Sequence, residues 1–273
     1  MNNYTMYKLI GEIMKKIIAT HNKIMHADEV TAIALLKIFT NDEIEVNRVD
    51  HNITDFSKYD MVIDIGKVHD GVKYFDHHQY KGGKSSAGLI WDYIGLNDKY
   101  PKISKLINLI DMNDVGLQKA KPFEFSSLIK CFNHVSIFSI EQDKQFDKAV
   151  DFAITTIRSM KKSQEDFKDA QDVVRNSFIF DSNQKILELE KFTPHWSSYV
   201  NGSKTPNIRA VVWEDLDENN WKVRVPSKTL GSFELNGKAL QHDSSMEFVH
   251  SSGYFAIAKD EETMKAFLCK QIR

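Results

Sequence analysis

The sequence predicts an α/β protein in two parts: a parallel-sheet domain over residues 15–140 and a smaller mixed α/β domain over residues 179–273. Three observations carry this. Residues 15–75 alternate strand, helix, strand, short crossover and strand, the order of a parallel sheet. A long charged helical stretch over 141–178 then connects to a region of short strands. Clusters of His and Asp stand where several strands of the first domain end, and ligands of open parallel sheets bind at those ends.

Residues 1–14 read as an N-terminal extension, without the charged start and apolar core of a signal peptide. Residues 15–20 form the first buried strand and run into the turn His21-Asn22-Lys23. Apolar residues at helical spacing follow from Val30 to Phe39, with Asp28 and Glu29 in the first turn, where carboxylates suit the helix dipole. Residues 43–49 alternate as a second strand, Met61 to Ile65 is a third, closed by Gly66, and Val72 to Phe75 a fourth. Ser85-Ser86-Ala87-Gly88 opens a helix through Ile94. Those small residues could cradle an anion on backbone N–H groups, or Ser could simply cap the helix. Lys102 to Ile110 is an amphipathic helix that ends in the acidic turn Asp111-Met112-Asn113-Asp114. In the connecting helix, Phe146, Val150, Ile154, Ile157, Met160, Phe167 and Val174 recur mostly every three or four residues. Beyond it, 186–190, 208–213, 221–225 and 254–258 read as strands. Asp217 to Asn220 is a hairpin turn, and 261–271 a terminal helix.

Composition narrows the function. The chain has 273 residues, 42% hydrophobic and 27% charged, an ordinary globular balance with room for two domains. A net charge of −2 argues against a non-specific nucleic-acid coat protein. It leaves room for an enzyme that handles short nucleic acid in a local groove. Cys131 and Cys269 stand too far apart for a cysteine metal site or a disulfide framework, so a cytoplasmic, reducing setting is expected, with Cys131 a packed thiol. No run of about 20 apolar residues is present, so no membrane partner is expected.

The stretch Lys73-Tyr74-Phe75-Asp76-His77-His78 places three metal-capable side chains directly after an apolar strand. Burying such groups unpaired is costly. His21, His26 and Asp28 follow strand one, and Asp64 ends strand three. With Asp111 and His77 they make a set of six His and carboxylate donors without thiolate, suited to Mn²⁺, Mg²⁺ or Fe²⁺. Six donors suit two metals sharing a bridge, and Asp64 is the natural bridging carboxylate. Two metals about 3.5–4 Å apart can clamp a phosphoryl group. His51, His69, His134 and His195 lie in polar loops and read as surface residues.

The triplet Asp76-His77-His78 resembles the signature of the DHH phosphoesterase superfamily, which includes RecJ nucleases, nanoRNases and family II inorganic pyrophosphatases. Thr20-His21-Asn22 with His26-Ala27-Asp28-Glu29 looks like its melanocyte-proliferating-gene (Myg) branch. The resemblance runs over nearly the whole chain. It includes Ser85 to Ile90, Ile110 to Asn113, Ile186 to Glu190, Pro194-His195-Trp196, Trp221-Lys222-Val223 with Val225-Pro226, and Phe248-Val249-His250 with Ser252-Gly253.

The resemblance implies a DHH-type catalytic domain with two Mn²⁺ or Mg²⁺ ions, one on His21, His26 and Asp64, the other on Asp28, Asp64, His77 and Asp111. His78 would meet the scissile phosphate, and Asp76 would hold a histidine. The second domain would hold the terminal nucleotide through His250, Ser251, Ser252 and Gly253. Arg48 and Arg224 are candidate phosphate contacts or, equally, surface arginines, and Ser85 and Ser86 are further candidate substrate contacts. The implied activity is 3′-to-5′ exonucleolytic hydrolysis of RNA or short oligonucleotides. The fourth motif departs from the family's usual Asp-Asn-Gly, and Asp114 adds to or competes with Asp111 as a ligand. Two alternatives stay open: a phosphodiesterase of small cyclic or dinucleotides, and a protein that binds metal or nucleotide without turnover.

Overall fold

The computed structural model describes residues 14–179, 186–200, 208–226 and 240–271. Residues 1–13, most of the expected N-terminal extension, lie outside the described residues. The chain divides into two compact units, residues 1–164 and 165–273.

The first unit is built on a four-stranded sheet. Its elements in order are β1 (Lys15–His21), α1 (Ala27–Phe39), β2 (Glu43–Val49), β3 (Met61–Ile63), β4 (Tyr74–Phe75), α2 (Ser86–Ile94), α3 (Pro101–Asp114), α4 (Phe125–Lys130) and the start of α5 (Ile140–Asn176). The strands lie in the order β2-β1-β3-β4 and every pairing is parallel, so all four carboxyl ends share one edge. In β1, Ile18 to His21 are all buried, as expected of a strand covered on both faces. α1 is buried continuously from Ala27 to Leu36. A helix apolar on every side belongs inside a fold, and this one packs against α2, α3 and α4. α2 ends at Gly95, whose φ of 71° sets the left-handed cap, and α3 starts on Pro101, whose missing N–H costs nothing there. In α5, Phe146, Ala149, Val150, Ala153 and Ile157 close the first unit's core.

The second unit carries a separate six-stranded mixed sheet, in the order β5 (Phe178–Ile179), β6 (Ile186–Glu188), β7 (Ala210–Asp215), β8 (Asn220–Arg224), β10 (Phe255–Ala258) and β9 (Phe248–Val249). Among the described residues, β6 and β7 pair in parallel and the other pairings are antiparallel. β7 and β8 form the expected hairpin, with Asn219 at a φ of 51° in its turn. The described residues of this unit also include the end of α5, a short α6 (Trp196–Val200) and the terminal α7 (Glu261–Gln271). The α/β expectation, a parallel-sheet domain with a smaller mixed one, is the fold observed. Among the described residues no helix is long and apolar enough to cross a membrane.

Candidate metal centre

The carboxyl edge of the first sheet gathers the site. β1 delivers His21 as its last residue, β3 delivers Asp64 one residue beyond its end, and β4 delivers Asp76, His77 and His78. Asp64 sits at a φ of 60°, a left-handed conformation that Asp tolerates better than most residues. α1 starts on the same edge and buries Asp28 and Glu29 completely.

Asp64 lies at the middle. Its Oδ2 is 3.2 Å from His21 Nε2, and its Oδ1 is 3.3 Å from His77 Nε2. One oxygen thus faces each side, the arrangement a bridging carboxylate needs. Three overlapping sets of donor atoms each lie within 4.8 Å of one another: His21, His26, Glu29 and Asp64; Asp64, His77 and His78; and His26, Asp28 and Asp114. His77 Nε2 ties the latter two together, at 2.9 Å from Asp114 Oδ2 and 3.7 Å from Asp28 Oδ2. His21 Nδ1 is fixed on the Asn22 carbonyl at 2.9 Å, so Nε2 is the nitrogen presented to the site.

The electrostatics call for a cation. Neither oxygen of Asp28 has a hydrogen-bond donor, nor has Glu29 Oε2, although both side chains are fully buried. Burial and the nearby charges of Asp64, Asp114 and Glu29 push the Asp28 carboxyl well above the usual range. Glu29 is raised too, by burial first and by Asp64. Burial opposes charge on His21, but its bond to Asp64 and the Glu29 charge prevail and raise it to about 9. His77 rises to about 10, where burial yields to its bonds with Asp114 and Asp64. Asp64 is lowered, its burial outweighed by His21 and His77. Without metal, protonated imidazoles therefore stand in for cations. Orphaned buried carboxylates beside His donors fit one or more hard divalent ions.

In four places the structure gives the expected residues surroundings that the sequence did not suggest. Asp111 is in none of the three donor sets. Its Oδ1 accepts from Ser85 N (2.9 Å), Ser85 Oγ (2.7 Å) and Gly88 N (3.2 Å). The anion cradle at the start of α2 thus exists, and its anion is Asp111. A Cβ on Gly88 would collide with that carboxylate. Asp114, one turn further along α3, supplies the carboxylate that meets His77. Second, Ser85 and Ser86 are fully buried, and Ser86 Oγ donates to Asp64 Oδ1 at 3.0 Å. Third, Arg48 is a structural clamp, with its side chain only 5% exposed. It bonds Asp143 Oδ1 and the Lys23 carbonyl, each at 2.8 Å, and lies over the Phe146 ring. Fourth, Cys131 is exposed rather than packed.

Two neighbours escaped the sequence reading. Glu29 looked like a helix-dipole residue, yet its Oε1 caps the His26 N–H at 2.8 Å and lies 3.4 Å from His21 Nε2. His51 is exposed as expected, but its ring stacks on His21 with centroids 5.0 Å apart, and both line one hollow with Lys23, His26 and His78. Nothing in the sequence around His51 signals that stacking.

Asp76 holds His78. Its Oδ1 accepts from His78 Nδ1 at 2.7 Å and from the His78 N–H at 3.0 Å, while Oδ2 takes the Lys67 N–H at 2.6 Å. His78 remains half exposed at the mouth of the site. The loop that carries His26 is tethered as well. Asn133 brackets the Met25 backbone, its Oδ1 accepting the N–H and its Nδ2 donating to the carbonyl, both at 2.9 Å. Gln142 donates to the Lys23 carbonyl and to Asn133. His250, Ser251, Ser252 and Gly253 lie in the second unit, in the turn between β9 and β10, where His250 Nδ1 pairs with Ser252 Oγ at 2.8 Å.

Known proteins resemble this chain. A family model named MYG1_exonuc, described as an uncharacterised protein family (UPF0160), matches residues 17–98, which include His21, Asp64 and the Asp76-His77-His78 triplet. The MYG1 protein of Chlamydia pneumoniae is 34% identical over 59% of each chain. The crystal structure of exonuclease RecJ bound to manganese aligns with 93% of this chain and 89% of that one, but at 13% identity and a TM-score of 0.28, too low to carry an argument. A MYG1 protein of Saccharomyces cerevisiae is 27% identical across 97% of both chains, so the likeness to MYG1 proteins extends along nearly the whole sequence.

Proposed function

We propose that this protein is a metal-dependent phosphodiesterase that shortens RNA or short oligonucleotides from the 3′ end, using two divalent cations, Mn²⁺ or Mg²⁺. The observation that carries the reading is Asp28, fully buried with both carboxylate oxygens lacking a donor, amid Glu29, Asp64 and Asp114. Packing buried carboxyl groups this closely costs stability unless they stay protonated or meet a cation, and a bound divalent ion supplies that cation.

On this reading His21, His26, Glu29 and Asp64 hold one ion, and Asp28, Asp64, His77 and Asp114 hold the other. Such ions supply charge stabilisation at phosphorus and activation of an attacking water. The chain's own groups do the rest. Asp64 keeps the two donor sets in register, and Ser86 fixes its carboxylate. His78, held through Nδ1 by Asp76, leaves Nε2 free to meet a phosphoryl oxygen or to pass a proton to the leaving oxygen. In the second unit, the His250–Gly253 turn stands beside Tyr254 and Arg224, a basic and aromatic patch suited to a terminal nucleotide.

The test is hydrolysis of a 5′-labelled RNA oligomer with Mn²⁺. Wild type is expected to give a ladder shortening from the 3′ end, and Asp64→Ala and His77→Ala to give none. Cleavage confined to dinucleotides would move the assignment to small nucleotides. Equal activity in both variants would defeat it.

A further inference from the structure

Beside the metal centre, between the end of α3 and α4, lies a cavity of about 490 Å³ that no step above uses. It reaches His26 and Asp114 at one end, and Lys119, Lys130, Asn113 and Ser126 give it a polar lining of a different character. Ile24, Ala27 and Ile110 form an apolar wall. Asp114 is the one carboxylate in the lining, and His77 already engages it at 2.9 Å. Lys119 and Lys130 are both exposed, and neither ammonium has an ion-pair partner among the described residues. Two lysines on the rim of one hollow give it a positive lining, which an anion complements. The volume falls in the range of small-molecule sites, roughly 300–1,000 Å³, and exceeds what a bare phosphate would fill.

We infer that this cavity is a nucleotide subsite: it takes the mononucleotide unit next to the bond being cut, with a phosphate between Lys119 and Lys130 and the nucleoside against the apolar wall. The inference rests on the phosphodiesterase reading for its role; the cavity shares His26 and Asp114 with the metal donors, and Lys119, Lys130 and the apolar wall lie outside them. The α3–α4 loop then does more than close the fold. It measures one nucleotide from the metal centre and favours substrates with a second phosphate.

The experiment is a calorimetric titration of the full Mn²⁺-loaded chain with adenosine 5′-monophosphate, which has no diester bond to hydrolyse. Wild type is compared with Lys119→Ala/Lys130→Ala and Lys119→Arg/Lys130→Arg. The alanine pair is expected to bind about tenfold more weakly or worse, as loss of charge-assisted bonds requires, and the arginine pair to retain binding. Mn²⁺ affinity should be the same in all three. Inorganic phosphate should bind wild type at least about tenfold more weakly than the nucleotide, since it lacks the apolar part. No nucleotide binding, equal binding by the alanine pair, or phosphate binding as tightly as nucleotide would each overturn the inference. Hydrolysis of bis(p-nitrophenyl) phosphate, too small to span both places, separates the two readings. If it is cleaved while the titration fails, only the subsite falls. If neither it nor the 5′-labelled RNA oligomer is cleaved and the lysines still govern nucleotide binding, the phosphodiesterase reading falls and the nucleotide site stands.

Discussion

Asp111 and Asp114 sit one helical turn apart and do opposite work. Asp111 spends its charge on the start of α2, and Asp114 spends its charge on His77. Asp114→Asn should therefore weaken Mn²⁺ binding at least about tenfold with little effect on folding. Asp111→Asn should leave Mn²⁺ affinity intact and cost about 1–3 kcal/mol of stability, because a buried amide then faces three donors. Titration calorimetry and thermal melts read the two effects apart, and the reverse pattern would restore Asp111 as the ligand. The sequence could not make this choice. An acidic turn after an apolar run marks the end of α3, but which carboxylate points to the sheet edge depends on how α3 packs against α2. Asp64, by contrast, was legible because a carboxylate closing an apolar strand has few structural uses, and the His77 and His78 positions because β4 ends just before them. Glu29 was hidden by an ordinary explanation, the helix dipole, that is correct but incomplete.

At the scale of elements, β1, β2, α1 and α7 follow their sequence patterns closely, whereas α4 and α6, at six and five residues, are too short for periodicity to reveal. In the proposed site, much rests on the loop from Asn22 to His26. It has no regular structure of its own and is held by Arg48, Asn133 and Gln142, from β2, the segment after α4, and α5. Arg48 looked like a phosphate contact because a lone arginine after a strand carries no hint of its burial. Asn133→Ala removes both bonds to Met25 without touching a metal donor. The expected outcome is about a tenfold loss of Mn²⁺ affinity, the usual scale for groups that orient ligands, together with a lower melting temperature. Unchanged affinity would mean that His26 keeps its place without the tether, or holds no metal.

For the whole molecule, the centre links folding, pH and metal. Folding raises the pKa of His21 to about 9 and of His77 to about 10, from the ordinary value near 6.5. A group whose folded pKa is raised contributes stability in full below its unfolded value and loses it as pH climbs through the folded one. The metal-free protein should thus grow less stable from about pH 6.5 toward pH 10. The raised carboxyl of Asp28 acts in the same direction, since its ionisation is disfavoured in the fold. Metal binding needs neutral imidazoles, so Mn²⁺ should bind more tightly as pH rises, with release of protons. Melts of chelator-treated and Mn²⁺-loaded protein should diverge as pH increases. Parallel curves would mean that these histidines do not meet the ion.

The most direct measurement is metal content and spin coupling. After loading with Mn²⁺ and removal of free ion, the wild-type chain should retain two ions with an exchange-coupled electron paramagnetic resonance signal. Asp64→Ala should lose the coupling and at least one ion, because Asp64 turns one oxygen toward His21 and the other toward His77. No retained Mn²⁺ in the wild type, or an unchanged coupled pair in Asp64→Ala, would contradict the account.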